Sequence, residues 1–115
     1  MKNLLFILLF PFLSCKGQDC SQLPASFQSY DQATNLVRAS VFKVEETVNT
    51  SKSSWIRGAE YYSCDGITGF FILTTDKQDY IYRDMPVEIW EGFKNADSFG
   101  SYYNLHIKGK WQLEL

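Results

Sequence analysis

The spacing of apolar residues along the chain changes period several times, and each period marks an element. Lys16 to Pro24 reads as a short polar lead. Ser29 and Gln32 stand at capping-box spacing, the serine hydroxyl placed to accept an orphan backbone N–H and the glutamine to reach back, which predicts a short helix over 30–38. From Ala39 to Val48 the period drops to two. Phe42, Val44 and Glu46 alternate with Lys43 and Glu45 among β-branched residues, as in a strand. The serine-rich stretch after it is a loop. Trp55 to Ser63 predicts a second strand, and Asp65-Gly66 supplies the positive φ that a hairpin turn needs. A third strand over 68–75 has the core Phe70-Phe71-Ile72-Leu73, apolar without alternation, which demands cover on both faces. Beyond the polar turn at 76–79, Tyr80-Ile81-Tyr82 forms a fourth.

After Tyr82 the helical period takes over. Pro86 suits a first helical turn, where its missing N–H costs nothing, and Val87, Trp90, Phe93 and Lys94 follow at helical spacing. Ser98 is placed to cap one more helix carrying Tyr102, Tyr103 and Ile107 and stopping near Gly109, with Trp111 to Leu115 extended. Strands in succession followed by helices predict an α+β fold: one small domain with an antiparallel sheet of about four strands and short helices packed on it.

The first fifteen residues stand apart. Lys2 is followed by a near-continuous apolar run from Leu4 to Leu13, the anatomy of an export signal. The run is too short for a membrane span, which needs roughly 20 apolar residues. Its Ser14-Cys15 end resembles the lipobox of bacterial lipoproteins, with Phe12 and Leu13 where that family usually has Leu and a small residue. The resemblance implies lipidation of Cys15 and a membrane anchor. The alternative is ordinary secretory cleavage after Gly17. Either route leaves Cys20 and Cys64 as the pair available for oxidation. An even pair in an exported chain of this size reads as a disulfide, against two unrelated buried thiols. Two thiols and the distant His106 are too few ligands for zinc, and no cofactor motif is present.

Composition narrows the function classes. At 45% hydrophobic and 17% aromatic the chain fills one core, and its formal net charge of −2 lacks the bulk basicity of a nucleic-acid binder.

A family resemblance emerges from the second half. The stretch SSWI at 53–56, Tyr61, Tyr80-Ile81-Tyr82, Pro86, Ala96, Ser98, Gly100 and YYNLHIKG at 102–109 together resemble the KTSC domain, named for its occurrence at the C-terminus of some lysyl-tRNA synthetases. The resemblance spans Ser53 to Trp111. It divides the chain into a signal (1–15), an N-terminal extension of helix plus strand (16–52) and a KTSC-like domain (53–113). RNA binding, suggested for the family from its synthetase context, is what the resemblance implies about function. The chain departs from the minimal domain in its export signal, in the extension with Cys20, and in Phe71 and Leu73, which occupy the usually polar face of the third strand. The extension is accordingly expected to cover that face.

The candidate binding surface is Tyr80, Tyr82, Asn104, His106, Lys108 and Lys110. Exposed tyrosines can stack on planar ligands; buried with satisfied hydroxyls, they are core. His106 has a side chain suited to general base catalysis, yet no triad or paired-carboxylate motif accompanies it. Asn104 suits a loop hydrogen bond, and Lys108 and Lys110 suit a helix C-terminus. The expectation is a non-enzymatic binding module of the bacterial cell envelope, taking a protein, peptide or glycan and held to a membrane through its lipid. The alternative is RNA binding, which requires Arg57, Arg83, Lys94, Lys108 and Lys110 to converge beside an exposed Tyr80 or Tyr82. Metabolic labelling with a clickable fatty acid should tag the native chain and not Cys15→Ser; absence of label from both, with a mature N-terminus at Gln18, would leave only secretory cleavage.

Overall fold

A computed structural model describes residues 17–115. Cys15 and the predicted signal lie outside the described residues. An antiparallel sheet in the order β1-β2-β3-β4 is built from β1 (Val44–Val48), β2 (Ile56–Ser63), β3 (Thr68–Thr75) and β4 (Asp79–Pro86). Three short helices complete the α+β architecture: α1 (Tyr30–Ala39) before the sheet, and α2 (Val87–Lys94) and α3 (Phe99–Tyr102) after it. A π-helical turn, Tyr103–Ile107, continues α3. Among the described residues no helix is long and apolar enough to cross a membrane.

The apolar run in β3 dictates the layering. Strand side chains alternate between faces, so Phe71 and Leu73 point to one side and Phe70 and Ile72 to the other, and all are buried. Phe71 and Leu73 meet Ile56, Ala59, Tyr61 and Tyr82 of the sheet and Trp90, Phe93, Phe99, Tyr103 and Ile107 of the C-terminal helices. The opposite face is covered by the extension, where Phe27, Ala33, Val37 and Phe42 pack on Tyr62, Phe70, Ile72 and Ile81, with Leu113 returning from the C-terminus. Covering both faces of the sheet is as the sequence implies. The assignment of faces is reversed: the extension covers Phe70 and Ile72, while Phe71 and Leu73 lie under α2 and α3. The physical reason is the bulky aromatic set of α2 and α3, which occupies the Phe71 side and leaves only the other for α1.

Local chemistry fixes the elements. The Ser29 hydroxyl accepts from Gln32 N at 3.0 Å, and the Gln32 side chain accepts from Gln28 N at 2.6 Å, one residue beyond the expected reach. Helix α1 extends through Ala39, so the predicted strand from Ala39 shortens to Val44–Val48. The intervening chain bends, with Phe42 N donating to the Glu45 carboxylate at 2.9 Å. Phe42 therefore joins the extension side while Val44 packs on the other, against the shared face that their alternation suggested. Arg38 locks α1 to the sheet through Glu60 at 2.6 and 3.0 Å and Asp79 at 3.0 Å. On the other side Trp90 Nε1 and Lys94 Nζ both donate to Glu46, at 2.7 and 2.8 Å, joining α2 to β1. These bonds, that of Lys94 foremost, hold the Glu46 carboxyl below its ordinary range and raise the Lys94 ammonium in turn.

The lead is more ordered than a polar linker. Gly17 N donates to Ala39 O, Val41 N to Gln18 O and Cys20 N to Val41 O, at 2.7 to 2.9 Å, before a 3₁₀ turn at Cys20–Gln22. Cys20 is bonded to Cys64, with Cα atoms 5.9 Å apart. This disulfide ties the extension to the β2–β3 turn, where Gly66 adopts φ +81° and Asp65 keeps a negative φ. The Asp65 carboxylate accepts from Ile67 N at 2.8 Å and Thr68 N at 3.1 Å, which holds it below its ordinary range. Closing a loop with a sequence separation of 44 removes about 4 kcal/mol of chain entropy from the unfolded state in the loop-closure model. Replacing both Cys20 and Cys64 by serine should lower the unfolding free energy by about that amount in a urea titration; an unchanged midpoint would contradict the structural role of the bond.

Candidate functional site

One end of the sheet, where β2 begins and β3 turns into β4, carries a groove of about 450 Å³ whose lining includes Trp55, Lys77, Tyr80, Asn104 and Lys108. Its walls are fixed by short-range chemistry. The Ser53 hydroxyl accepts from Trp55 N at 3.3 Å and Ile56 N at 3.1 Å, which sets the bend that brings Trp55 over the sheet end. The Trp55 ring meets Tyr103 edge to face, centroids 5.8 Å apart. A Cβ on Gly100 would stand 2.7 Å from Trp55 Nε1, so the indole lies where only glycine leaves room. The floor includes Leu73 and Tyr103.

The β3–β4 turn is held by Thr75. Its hydroxyl donates to Gln78 O at 3.1 Å and accepts from Lys77 N at 3.2 Å and Gln78 N at 3.3 Å, while Thr75 N donates to Gln78 O at 3.0 Å. Beyond the turn Tyr80 stands half free, 39% exposed, beside Trp55 at 37%. Asn104 and Lys108 come from the π turn, closed by Lys108 N donating to Tyr103 O at 2.9 Å. Turns of this kind interrupt helices at functional sites more often than elsewhere. Tyr103 and Ile107 are buried while Asn104 and Lys108 face out.

The six residues named from the sequence divide between two grooves and the surface, Tyr80 and Tyr82 both lining a groove of about 540 Å³ between β4 and the C-terminal residues 112–115. Tyr80, Asn104 and Lys108 share the groove at Trp55. Tyr82 is buried, and its hydroxyl is hydrogen-bonded to that of Tyr103. It acts as support beneath the groove, since a tyrosine at mid-strand with a buried phenolic partner is core. His106 is exposed and lies on the Tyr102 ring, centroids 4.4 Å apart, outside the groove lining. Lys110 stands over Trp111, 6.0 Å from its centroid. Trp55, Thr75, Asp76 and Lys77 are groove residues that sequence reasoning did not single out. The SSWI stretch was the available signal for the first, and Lys77, in a polar turn, offered none.

The cations do not converge. Arg57 pairs with Asp76 at 3.0 Å. Lys94 pairs with Glu46 and Glu91 at 2.8 and 3.2 Å. Arg83 lies across the extension side, over the Phe27 and Phe70 rings at 5.5 Å, donating to Ala25 O at 2.7 Å. Among the described residues the one grouping of metal-ligating side chains is Asp19, Cys20 and Cys64. Its two sulfurs are bonded to each other, which removes the thiolates a metal takes.

Comparison with known proteins agrees with the resemblance seen in the sequence. Residues 72–111 match the KTSC domain model. The match runs from β3 through the π turn, and so takes in Lys77, Tyr80, Asn104 and Lys108. Trp55 and the whole extension fall outside it. No curated protein and no solved structure matches the chain.

The KTSC segment contributes two of the phenols that resist ionisation, Tyr82 and, through burial, Tyr102. Burial, then the bond to Tyr103, pushes the Tyr82 phenol far above its ordinary value. Burial does the same to Tyr61, whose hydroxyl donates to Met85 O at 2.8 Å, and to Tyr62. A group whose pKa is raised in the folded state contributes stability below its unfolded value, near pH ~10 for tyrosine, and that contribution is lost as pH rises beyond it. The fold should therefore weaken above pH ~10. In an alkaline titration, tyrosinate absorbance from Tyr61, Tyr62 and Tyr82 should rise together with loss of the circular-dichroism signal. Full tyrosinate absorbance with the fold intact would count against their burial.

Proposed function

We propose that this chain is a non-enzymatic binding module of the bacterial cell envelope, exported and held at a membrane through Cys15, with its ligand seated in the groove of Trp55, Tyr80, Asn104 and Lys108. The observation that carries the reading is convergence. Three residues chosen for their chemistry, Tyr80, Asn104 and Lys108, line one groove together with a half-exposed tryptophan. Pockets with aromatic walls and a few polar groups are the usual form of a ligand site. The supporting shell is rigid, because Tyr103 is packed against Trp55 and hydrogen-bonded to Tyr82. His106 offers little for catalysis, lying on Tyr102 away from the groove. The KTSC match makes RNA binding the other reading, but that needs phosphate contacts in series, and Arg57 at the groove is neutralised by Asp76 while Arg83 and Lys94 are engaged away from it.

A photo-crosslinking amino acid placed at position 80 of the full chain, expressed in its native cells, should yield a discrete adduct in the envelope fraction. The same amino acid at Ile67, exposed at the opposite end of the sheet, should not. Equal adducts from both positions, or none from 80, would remove the groove from consideration.

A further inference from the structure

The groove's charge and ring content narrow its ligand. The carboxylate in the lining, Asp76, is taken by Arg57, whose Nε and Nη2 donate to it at 3.0 and 3.3 Å. Lys77 and Lys108 have no ion-pair partner among the described residues, so the lining is left with two uncompensated ammonium groups. A ligand carrying negative charge would complement both, and charge-assisted hydrogen bonds would fix its orientation.

The walls then decide among anionic ligands. Trp55 and Tyr80 offer aromatic faces, each electron-rich at its centre. A pyranose ring presents a face of C–H bonds polarised positive by the neighbouring oxygens, which complements such walls, while the Asn104 amide can donate to and accept from its hydroxyls. An extended peptide would need backbone groups to pair with. At this turn Thr75 N, Lys77 N, Gln78 N and Gln78 O are already bonded within the turn. A nucleic-acid strand would need cations in series along its backbone, and the further ones, Arg57 and Lys94, are neutralised by carboxylates.

We propose that the groove binds an acidic oligosaccharide, its sugar ring against Trp55 and Tyr80 and its carboxylate held by Lys77 and Lys108. This rests on the binding-module reading and adds the chemical class. The test is calorimetric titration of the chain with oligogalacturonate, oligomannuronate and a muramyl saccharide, each beside its methyl ester, and with a single-stranded oligonucleotide. At least one acid should bind, and its ester about tenfold more weakly, a difference that shrinks as salt rises. Lys77→Ala with Lys108→Ala should abolish the preference for the acid. Both lysines are exposed, so the fold should hold. Tyr80→Ala should weaken acid and ester alike. Equal binding of acid and ester that is lost in Tyr80→Ala would overturn the acidic ligand while leaving the groove as a binding site. Binding of none of the saccharides, or preference for the oligonucleotide, would overturn the proposal outright, whatever the crosslink at position 80 reports.

Discussion

The structure depends on one strand that cannot be left half covered. Four successive apolar side chains in β3, Phe70 to Leu73, project alternately to both faces of the sheet and are all buried. Burying an aromatic or aliphatic side chain of this size is worth about 1.5–3 kcal/mol against leaving it in water, so exposing either pair would cost a large share of a small domain's stability. Helices α2 and α3 seal one face. The extension exists, in physical terms, because the other face needs the same treatment. Its attachments follow from that need: Phe27, Ala33 and Val37 supply the apolar cover, the Arg38 bonds to Glu60 and Asp79 orient α1, and the Cys20–Cys64 bond anchors the segment before it.

The same two-sided cover decides which surface stays open. Both sheet faces are occupied. The β4 edge is partly closed by the returning C-terminus, where Arg83 N donates to Trp111 O at 2.8 Å and Tyr82 bridges Gln112. The β2–β3 end is held to the extension by the disulfide. The end at Trp55 and the β3–β4 turn keeps side chains in solvent over a packed floor, and there Tyr80, Asn104 and Lys108 meet. A groove at a sheet end inherits rigidity from the core beneath it, which lowers the ordering cost of binding.

Much of this was legible from patterning. The four strands, α2, the Ser29 and Ser98 caps and the need for cover on both sides of β3 are each encoded by periodicity or cap chemistry over a few adjacent residues. What escaped was non-local. Whether Phe71 or Phe70 faces the extension depends on which helix set claims which face, and alternation in one strand is symmetric to that choice. Phe42 and Val44 looked like neighbours on one face until a bend, set by the Glu45 carboxylate reaching Phe42 N, separated them. The capping glutamine reached one residue too far to be foreseen from spacing alone. Nothing in YYNLHI distinguishes a π turn from an α turn.

The site was legible in its residue types and not in its membership. Tyr80 and Tyr82 are equivalent in the strand pattern, yet one is a wall and the other a support. The difference lies in Tyr103, which the helix period set beside Tyr102 on the last helix without deciding which of the two is core or what its partner is. Its hydroxyl meets that of Tyr82 and its ring meets Trp55, so a residue from the C-terminal helix joins a strand tyrosine to an indole from before β2. That junction gives the groove its shape, and it crosses the boundary of the KTSC match, since Trp55 lies outside residues 72–111. Gly100, inside the match, leaves the space that Trp55 fills. The matched segment therefore carries the polar side of the groove and the room for the indole that Trp55, just before β2, supplies, so the groove is larger than the segment that matches.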